Sequence, residues 1–244
     1  MDFSNKTVLI TGGTRGIGKA IADYLYECGA TLLLTGTRQE QVDRLNAEGT
    51  PRKTYLQVDF SDGQSLERFT ERLKAFDRID VCVNNAGINI VEDFCDVPQE
   101  DYDKVYQINV AAPYKILKTV IPIMVRNGYG RIVNIASIWS VINRPGRSSY
   151  AISKNAVVGL TKSLAVEFAK YNVMVNAVSP GFTLTELTAT TNTPEQIAEL
   201  SAKVPAQRMA QPSEIATVVA FLCSSLNSYL TGQNIVVDGG YTII

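Results

Sequence analysis

Hydrophobic and polar positions along the chain follow two alternating rhythms. Short runs such as Thr7-Val8-Leu9-Ile10 are continuously apolar, as strands buried on both faces of a parallel sheet require. The pattern predicts strands near 7–11, 31–36, 53–58, 79–84, 131–136, 173–178 and 234–237. Between them apolar positions recur at helical spacing, predicting helices near 16–28, 39–48, 62–76, 100–126, 149–170 and 212–224. Leu66, Phe69, Leu73 and Phe76 line one face of a helix opened by Ser61-Asp62. Pro212 suits a first helical turn, ahead of the apolar face Ile215, Val218, Val219 and Leu222. Repeated βα units imply an α/β fold, a doubly wound parallel sheet of about seven strands with helices on both faces. No repeat or linker interrupts it, so residues 1–244 are expected to form a single domain. The polar, threonine-rich stretch 181–205 is expected to be a substrate loop or lid.

Composition narrows the chemistry. The 23 basic and 24 acidic residues are mixed along the chain, with no basic stripe for nucleic acid. No apolar run approaches a membrane span, and the start Met1-Asp2 is unlike a secretory leader. A cytoplasmic protein is expected. Cys28, Cys82, Cys95 and Cys223 match no metal or redox spacing. They read as reduced, mostly buried thiols, and no metal site is expected. Histidine is absent, which removes Ser-His-Asp hydrolysis, histidine metal sites and every histidine base. Serine, tyrosine, lysine, asparagine, carboxylates or a cofactor must carry any reaction.

Residues 11–18, TGGTRGIG, follow the first strand and precede a helix. Glycines there allow a sharp turn and close approach of a ligand. The free N–H groups of the following helix then offer an anion site suited to a pyrophosphate. A merely structural turn would use glycine too. The T-G-x-x-x-G-x-G spacing resembles the compact, single-domain branch of the short-chain dehydrogenase/reductase family, and further motifs follow in the family's order. Val58-Asp59-Phe60 resembles its adenine-contacting strand end, Asn84-Asn85-Ala86-Gly87 its NNAG element, and Pro180-Gly181 the turn beside the nicotinamide. The resemblance implies a Rossmann-type fold. It also implies a cofactor site of Gly12, Thr14, Arg15, Gly16, Ile17, Gly18, Thr37, Arg38, Asp59, Phe60, Asn85, Ala86, Gly87, Tyr150, Lys154, Pro180, Gly181, Thr183 and Thr185. The second strand ends Leu34-Thr35-Gly36-Thr37-Arg38 without the carboxylate that accepts an NAD ribose. Arg15, Thr37 and Arg38 suit a 2′-phosphate instead, so NADP(H) is expected over NAD(H).

Tyr150-Ala-Ile-Ser-Lys154 sets tyrosine and lysine at i and i+4 on one helical face, and Ser137 ends the strand before it. By type and spacing these resemble the family's catalytic Ser, Tyr and Lys. A free phenol has a pKa of about 10. A nearby ammonium and a positively charged nicotinamide would favour its phenolate, so Tyr150 could exchange a proton with the substrate oxygen while Ser137 hydrogen-bonds it. Asn109 resembles the family's fourth catalytic residue, whose carbonyl holds a water. Its helical acceptor role is open, because residue 113 is proline and has no N–H to donate. A kinked or opened helix at 109–113 is expected.

The substrate side is less specified. Asn89, Ser137, Trp139, Arg147 and Phe182 are the candidate contacts, with Ile142, Arg144, Leu184 and Leu187 as further lining. Trp139 fits a pocket wall or a core ring equally well. Arg147, three residues before Tyr150, is either solvated or a grip for a substrate carboxylate, as in the hydroxybutyrate-type members it resembles. The overall pattern resembles bacterial 3-oxoacyl-[acyl-carrier-protein] reductases, with Arg126, Arg131 and Lys170 near the regions that dock the carrier protein. Tyr171 and the bulky Trp139 depart from that pattern. The resemblance implies reduction of a ketone to a secondary alcohol, or the reverse. Oxidation of a small hydroxy acid or polyol, and a non-catalytic NADP(H) sensor, are the alternatives. It further implies a homotetramer built on helices 100–126 and 149–170.

Overall fold

The computed structural model describes residues 1–243. Seven strands form one sheet: β1 (Thr7–Ile10), β2 (Thr31–Gly36), β3 (Lys53–Gln57), β4 (Val81–Asn84), β5 (Gly130–Ile135), β6 (Val173–Pro180) and β7 (Asn234–Val237). Their order is β3-β2-β1-β4-β5-β6-β7, and every pairing is parallel. The order reverses between β1 and β4. A crevice opens at such a switch point, beyond the carboxyl ends of the strands.

Helices cover both faces, as continuously apolar strands demand. On one side α3 (Gly63–Leu73), α5 (Ala112–Arg126) and α6 (Ser148–Phe168) enclose a core that includes Leu66, Phe69, Ile116, Val120 and Val175. On the other α1 (Gly16–Glu27) and α9 (Pro212–Cys223) enclose Ile21, Leu25, Ile215 and Val219 with Val8, Ile10 and Val133. Asp62 caps α3 by accepting from the Gln64 N–H at 2.9 Å. α2 (Gln39–Ala47) follows β2.

The expected helix at 100–126 is three pieces in one rod: α4 (Gln99–Tyr106), a π-helical turn at Gln107–Ala111, and α5. In that turn Ala112 N–H donates to the Gln107 carbonyl, five residues back. The register change coincides with the missing N–H of Pro113. The rod reaches membrane-span length and apolarity, contrary to the sequence expectation, yet 56% of its most apolar window is buried inside the protein.

The segment 181–205 also departs from expectation. It carries two helices, α7 (Glu186–Thr191) and α8 (Pro194–Ala202). Thr185 accepts from Thr188 N–H, and Thr193 and Gln196 form a reciprocal capping box. These side-chain oxygens satisfy the orphan donors that threonine-rich sequence would otherwise leave to water. Of the four thiols, Cys82 and Cys223 are buried, while Cys95 is exposed and Cys28 half-buried.

Candidate active site

The glycine-rich turn is locked to the NNAG segment by bonds between side chains and backbone. Thr11 Oγ1 accepts from the N–H groups of both Asn85 and Ala86 at 3.0 Å. The Asn85 amide donates back to the carbonyls of Thr11 and Gly12 at 3.0 and 3.1 Å. Gly12 sits at φ +66° and donates to Thr35 Oγ1 at 2.9 Å. A Cβ at Gly18 would lie 2.2 Å from the Gly12 carbonyl oxygen, so only glycine permits this close crossing. The result is a cradle of about 340 Å³ lined by Gly12, Thr14, Arg15, Gly16, Ile17, Gly18, Thr37, Asp59, Phe60, Asn85, Ala86, Gly87 and Thr185. The N-terminus of α1 opens into it, with Arg15 at the N-cap and no acid in the first turn. Extended polyphosphate fits such donors.

Sequence reading and structure diverge at single residues here. Arg38 is exposed at the N-cap of α2 and is not part of the cradle wall. Glu186 lines the cradle and was not foreseen. Asp59 keeps one carboxylate oxygen on the Ser61 N–H and hydroxyl, at 2.9 and 2.6 Å.

The cradle continues into a cleft of about 780 Å³, where Ser137, Tyr150 and Lys154 meet. Ser137 leaves β5 as the N-cap of a 3₁₀ turn, its Oγ accepting from Trp139 N–H at 3.3 Å. Tyr150 and Lys154 lie one turn apart on α6. Lys154 Nζ stands 5.5 Å from the Tyr150 ring centre and donates to the Ile135 carbonyl at 2.7 Å. Burial holds its ammonium down at about 8. Burial also raises the Tyr150 phenol, while the Ser137 hydroxyl and the Arg147 cation pull it down. The phenol is thus raised in this structure, where the sequence leads one to expect acidification by Lys154. The Lys154 ammonium bonds a carbonyl, and Arg147 adds a second cation beside the phenol.

Asn109 lies in the π-helical turn and is buried. Its side chain pairs with both backbone groups of Ile88 at 2.9 Å and donates to Ser153 Oγ at 3.0 Å. It thus ties NNAG to α6, a role the sequence reading did not see. Gly87 leaves room for Lys154, since a Cβ there would lie 3.2 Å from Asn109 Oδ1 and 3.4 Å from Lys154 Nζ.

The cleft also contains Asn89, Trp139, Arg144, Arg147, Pro180, Gly181, Phe182, Thr183 and Leu187. Trp139 is buried and half of its ambiguity is resolved: it is both a core ring, with Ile138 and Ala151, and a wall of the cleft. Phe182 packs edge-on against Tyr241 at 5.0 Å. Ile142 packs on the Trp139 cluster and Leu184 bonds to Ala210, so neither lines the cleft. Thr188, Thr191, Asn192, Leu200 and Met209 do; they come from α7, α8 and the chain after them, where no local spacing pointed to a site. Among the basic residues near the expected carrier-docking regions, Arg131 is corrected. It is 3% exposed and bonds the carbonyls of Asn227, Gly130 and Asn172. Lys170 leans on the Tyr171 ring.

A nucleotide cradle at a switch point, running into a serine, tyrosine and lysine, defines a Rossmann-fold oxidoreductase. Comparison with known proteins makes this specific. A family model described as enoyl-(acyl carrier protein) reductase matches residues 12–242. The chain is 38% identical to 3-oxoacyl-[acyl-carrier-protein] reductase FabG of Thermotoga maritima, covering all of both chains. Among solved structures, a short chain dehydrogenase/reductase family protein superposes with a TM-score of 0.91 at 33% identity, covering all of both chains. A gluconate 5-dehydrogenase from Burkholderia cenocepacia J2315, in complex with NADP and tartrate, does so at 0.90 and 29%, covering 100% of this chain and 97% of its own. The chain belongs to the short-chain dehydrogenase/reductase family.

Proposed function

We propose that the protein is an NADP(H)-dependent oxidoreductase that reduces a ketone to a secondary alcohol, or runs the reverse, within the alcohol:NADP(H) class EC 1.1.1. The observation that carries this reading is the convergence of Ser137, Tyr150 and Lys154 in one cleft that opens from the glycine cradle. Residues 1–244 act as a single domain in the cytoplasm, assembled as a homotetramer.

NADP(H) is favoured over NAD(H) because Arg15 and Thr37 wall the cradle where β2 ends without a carboxylate. Gly12, Gly16 and Gly18 would admit the pyrophosphate, Asp59 and Phe60 would hold the adenine end, and Thr183 and Thr185 would close over the cofactor from the chain after β6. The nicotinamide, when bound, supplies or accepts the hydride. Tyr150 exchanges the proton at the substrate oxygen, so ketone, hydride and proton together give the alcohol. Ser137 hydrogen-bonds that oxygen and orients it. Lys154 holds positive charge beside the phenol and would hold the cofactor's ribose. Asn109 holds the relay that returns the proton to solvent through the opened turn. With the phenol raised by burial, Tyr150 keeps its proton at neutral pH, which suits it as the acid in reduction. Carrier-protein docking loses Arg131 and rests on Arg126 and Lys170 alone, so a small free carbonyl compound is the favoured substrate.

The test follows NADPH oxidation with a panel of ketones. Tyr150→Phe is expected to lower kcat at least a thousandfold while NADPH still binds, as read by its fluorescence. Wild-type turnover in that variant defeats the assignment.

A further inference from the structure

We propose that Thr161 and Ser153 are positioning residues of the reaction. Each hydroxyl is pinned by a buried asparagine from another element, and the two pins set the rotation of α6 that aims Tyr150 at Ser137. The inference rests on the function proposed above and adds residues that act on that site from outside the cleft, since neither side chain lines it.

Hydrophobic packing alone gives α6 little to hold. The helix turns Ala151, Ser153, Lys154, Val157, Thr161 and Ala165 inward, while Ile152 and Val166 are exposed. Apolar contact is non-directional, and a buried stripe of small and polar residues offers few large side chains to interdigitate. Directional bonds take over. Asn134 on β5 donates to Thr161 Oγ1 at 2.9 Å and accepts from the Asn84 amide, its partner on β4, at 2.8 Å. Thr161 Oγ1 donates onward to the Val157 carbonyl at 2.8 Å. Asn134 and Thr161 are both 0% exposed. Nearer the site, Asn109 donates to Ser153 Oγ at 3.0 Å, and Ser153 donates to the Tyr150 carbonyl at 2.7 Å. Each hydroxyl both accepts and donates, and a buried network satisfied in this way specifies one arrangement of the elements that share it.

The strand that holds Thr161 is the strand that delivers Ser137. Asn134 stands three residues before that serine, and the next residue, Ile135, gives its carbonyl to Lys154 Nζ at 2.7 Å. Lys154 and Thr161 lie two turns apart on one stripe of α6, a separation of about 10 Å. Two fixed points so spaced set both the slide and the rotation of the helix against β5. The Tyr150 hydroxyl stands at the end of a long side chain, so a small rotation of α6 swings it away from Ser137. A displacement of about 1 Å in a reacting group costs up to a hundredfold in rate.

The experiment compares Thr161→Val, which keeps the shape of the side chain and loses its hydroxyl, with Thr161→Ser, which keeps the hydroxyl. Ser153→Ala removes the second pin. Thr217→Val is the control, because Thr217 is exposed on α9 and its hydroxyl donates to the Ser213 carbonyl at 3.0 Å, the same bond back along a helix. Ketone reduction with NADPH gives kcat and KM. Emission of Trp139, the only tryptophan in the chain, gives a readout independent of turnover. Trp139 packs with Ala151 and Tyr150 at the start of α6, about 16 Å along the helix from Thr161, so loss of the distant hydroxyl reaches it only by moving the helix. Thr161→Val is expected to lower kcat about tenfold with KM within about twofold, and to shift the emission. Thr161→Ser restores both, Ser153→Ala behaves like Thr161→Val, and Thr217→Val behaves like the wild type. Thermal melting confirms that each variant is folded, and Ser153→Ala decides the matter if Thr161→Val does not fold. Wild-type kcat and emission in a folded Thr161→Val or Ser153→Ala overturn the proposal, as does an equal loss in Thr161→Ser. A wild type that reduces no ketone with NADPH removes the proposed reaction instead. The emission comparison then decides the pins alone: a shift in Thr161→Val that Thr161→Ser reverses supports them, and no shift overturns them.

Discussion

Lys154 shows how one residue can serve chemistry at the expense of the fold. Its ammonium is buried against a single carbonyl, and burial depresses its pKa from 10.5 to about 8. Between those values the unfolded chain binds more protons than the folded one, so stability rises with pH across that window. Below about pH 8 the folded protein bears the full cost, roughly 3 kcal/mol. Lys154→Met removes the titration. It also leaves the Ile135 carbonyl unpaired, a penalty that does not change with pH. The difference in melting temperature between the two proteins should therefore move in the wild type's favour from pH 8 to 10.5, by roughly 2–4 °C for each kcal/mol. A difference that stays flat over this range would show that the lysine is not held in the depressed state. The same residue scale marks what was legible in the sequence. Gly18, Tyr150 and Lys154 were legible because backbone crossing and helical spacing are local properties. Arg38 stands outside the cradle wall and Arg131 is buried on carbonyls, since whether an arginine faces solvent, a ligand or buried carbonyls is decided by distant chain.

Among the elements, the rod from α4 to α5 is the most informative. Pro113 predicted an opening, and the structure places a π-helical turn at Gln107–Ala111. Restoring an N–H with Pro113→Ala lets that group donate to the Asn109 carbonyl and close an ordinary α ladder. The Asn109 side chain would then be rotated away from Ile88 and Ser153, its partners on either side of the cleft. Activity is expected to suffer in kcat, by roughly tenfold or about 1.4 kcal/mol, with KM for the ketone little changed. Amide exchange at residue 113 should slow as the new bond forms. Unchanged kcat alongside a protected 113 amide would mean the opening serves packing only. The strands were readable because each is a short apolar run paired in parallel, whereas α7 and α8 were not. Threonine is a weak helix former, and a run of it reads as loop. The decisive information lay in spacing, since Thr193 and Gln196 stand at the capping-box interval.

Taken whole, the molecule leaves an apolar groove between two helices, its floor part of the core and its rim open to solvent. α5 and α6 bring Tyr114, Leu117, Ile121, Val125, Leu164, Phe168 and Tyr171 around an open groove of about 610 Å³. Val166 on α6 is 87% exposed and Tyr114 on α5 55%. Isolated exposed apolar residues need no explanation, but a contiguous face on two adjacent helices does. A two-fold axis would bury the face against its own copy, since an isologous contact needs only one self-complementary patch. The cleft would gain from such a contact, because α6 carries Tyr150 and Lys154 on the turns that precede the face. Fixing α6 between its sheet and a neighbour limits its movement relative to Ser137 on β5. Light scattering of the proposed homotetramer, which needs a second two-fold contact besides this one, should report about four times the 26.7 kDa protomer mass. Tyr114→Glu combined with Val166→Glu places charge at exposed positions, where a monomer's own fold loses little. The pair should drop the assembly to dimers or monomers at micromolar concentration and lower kcat together with heat stability. A monomeric wild type that is fully active would sever this link between the face and the site, leaving the helices to position the tyrosine unaided.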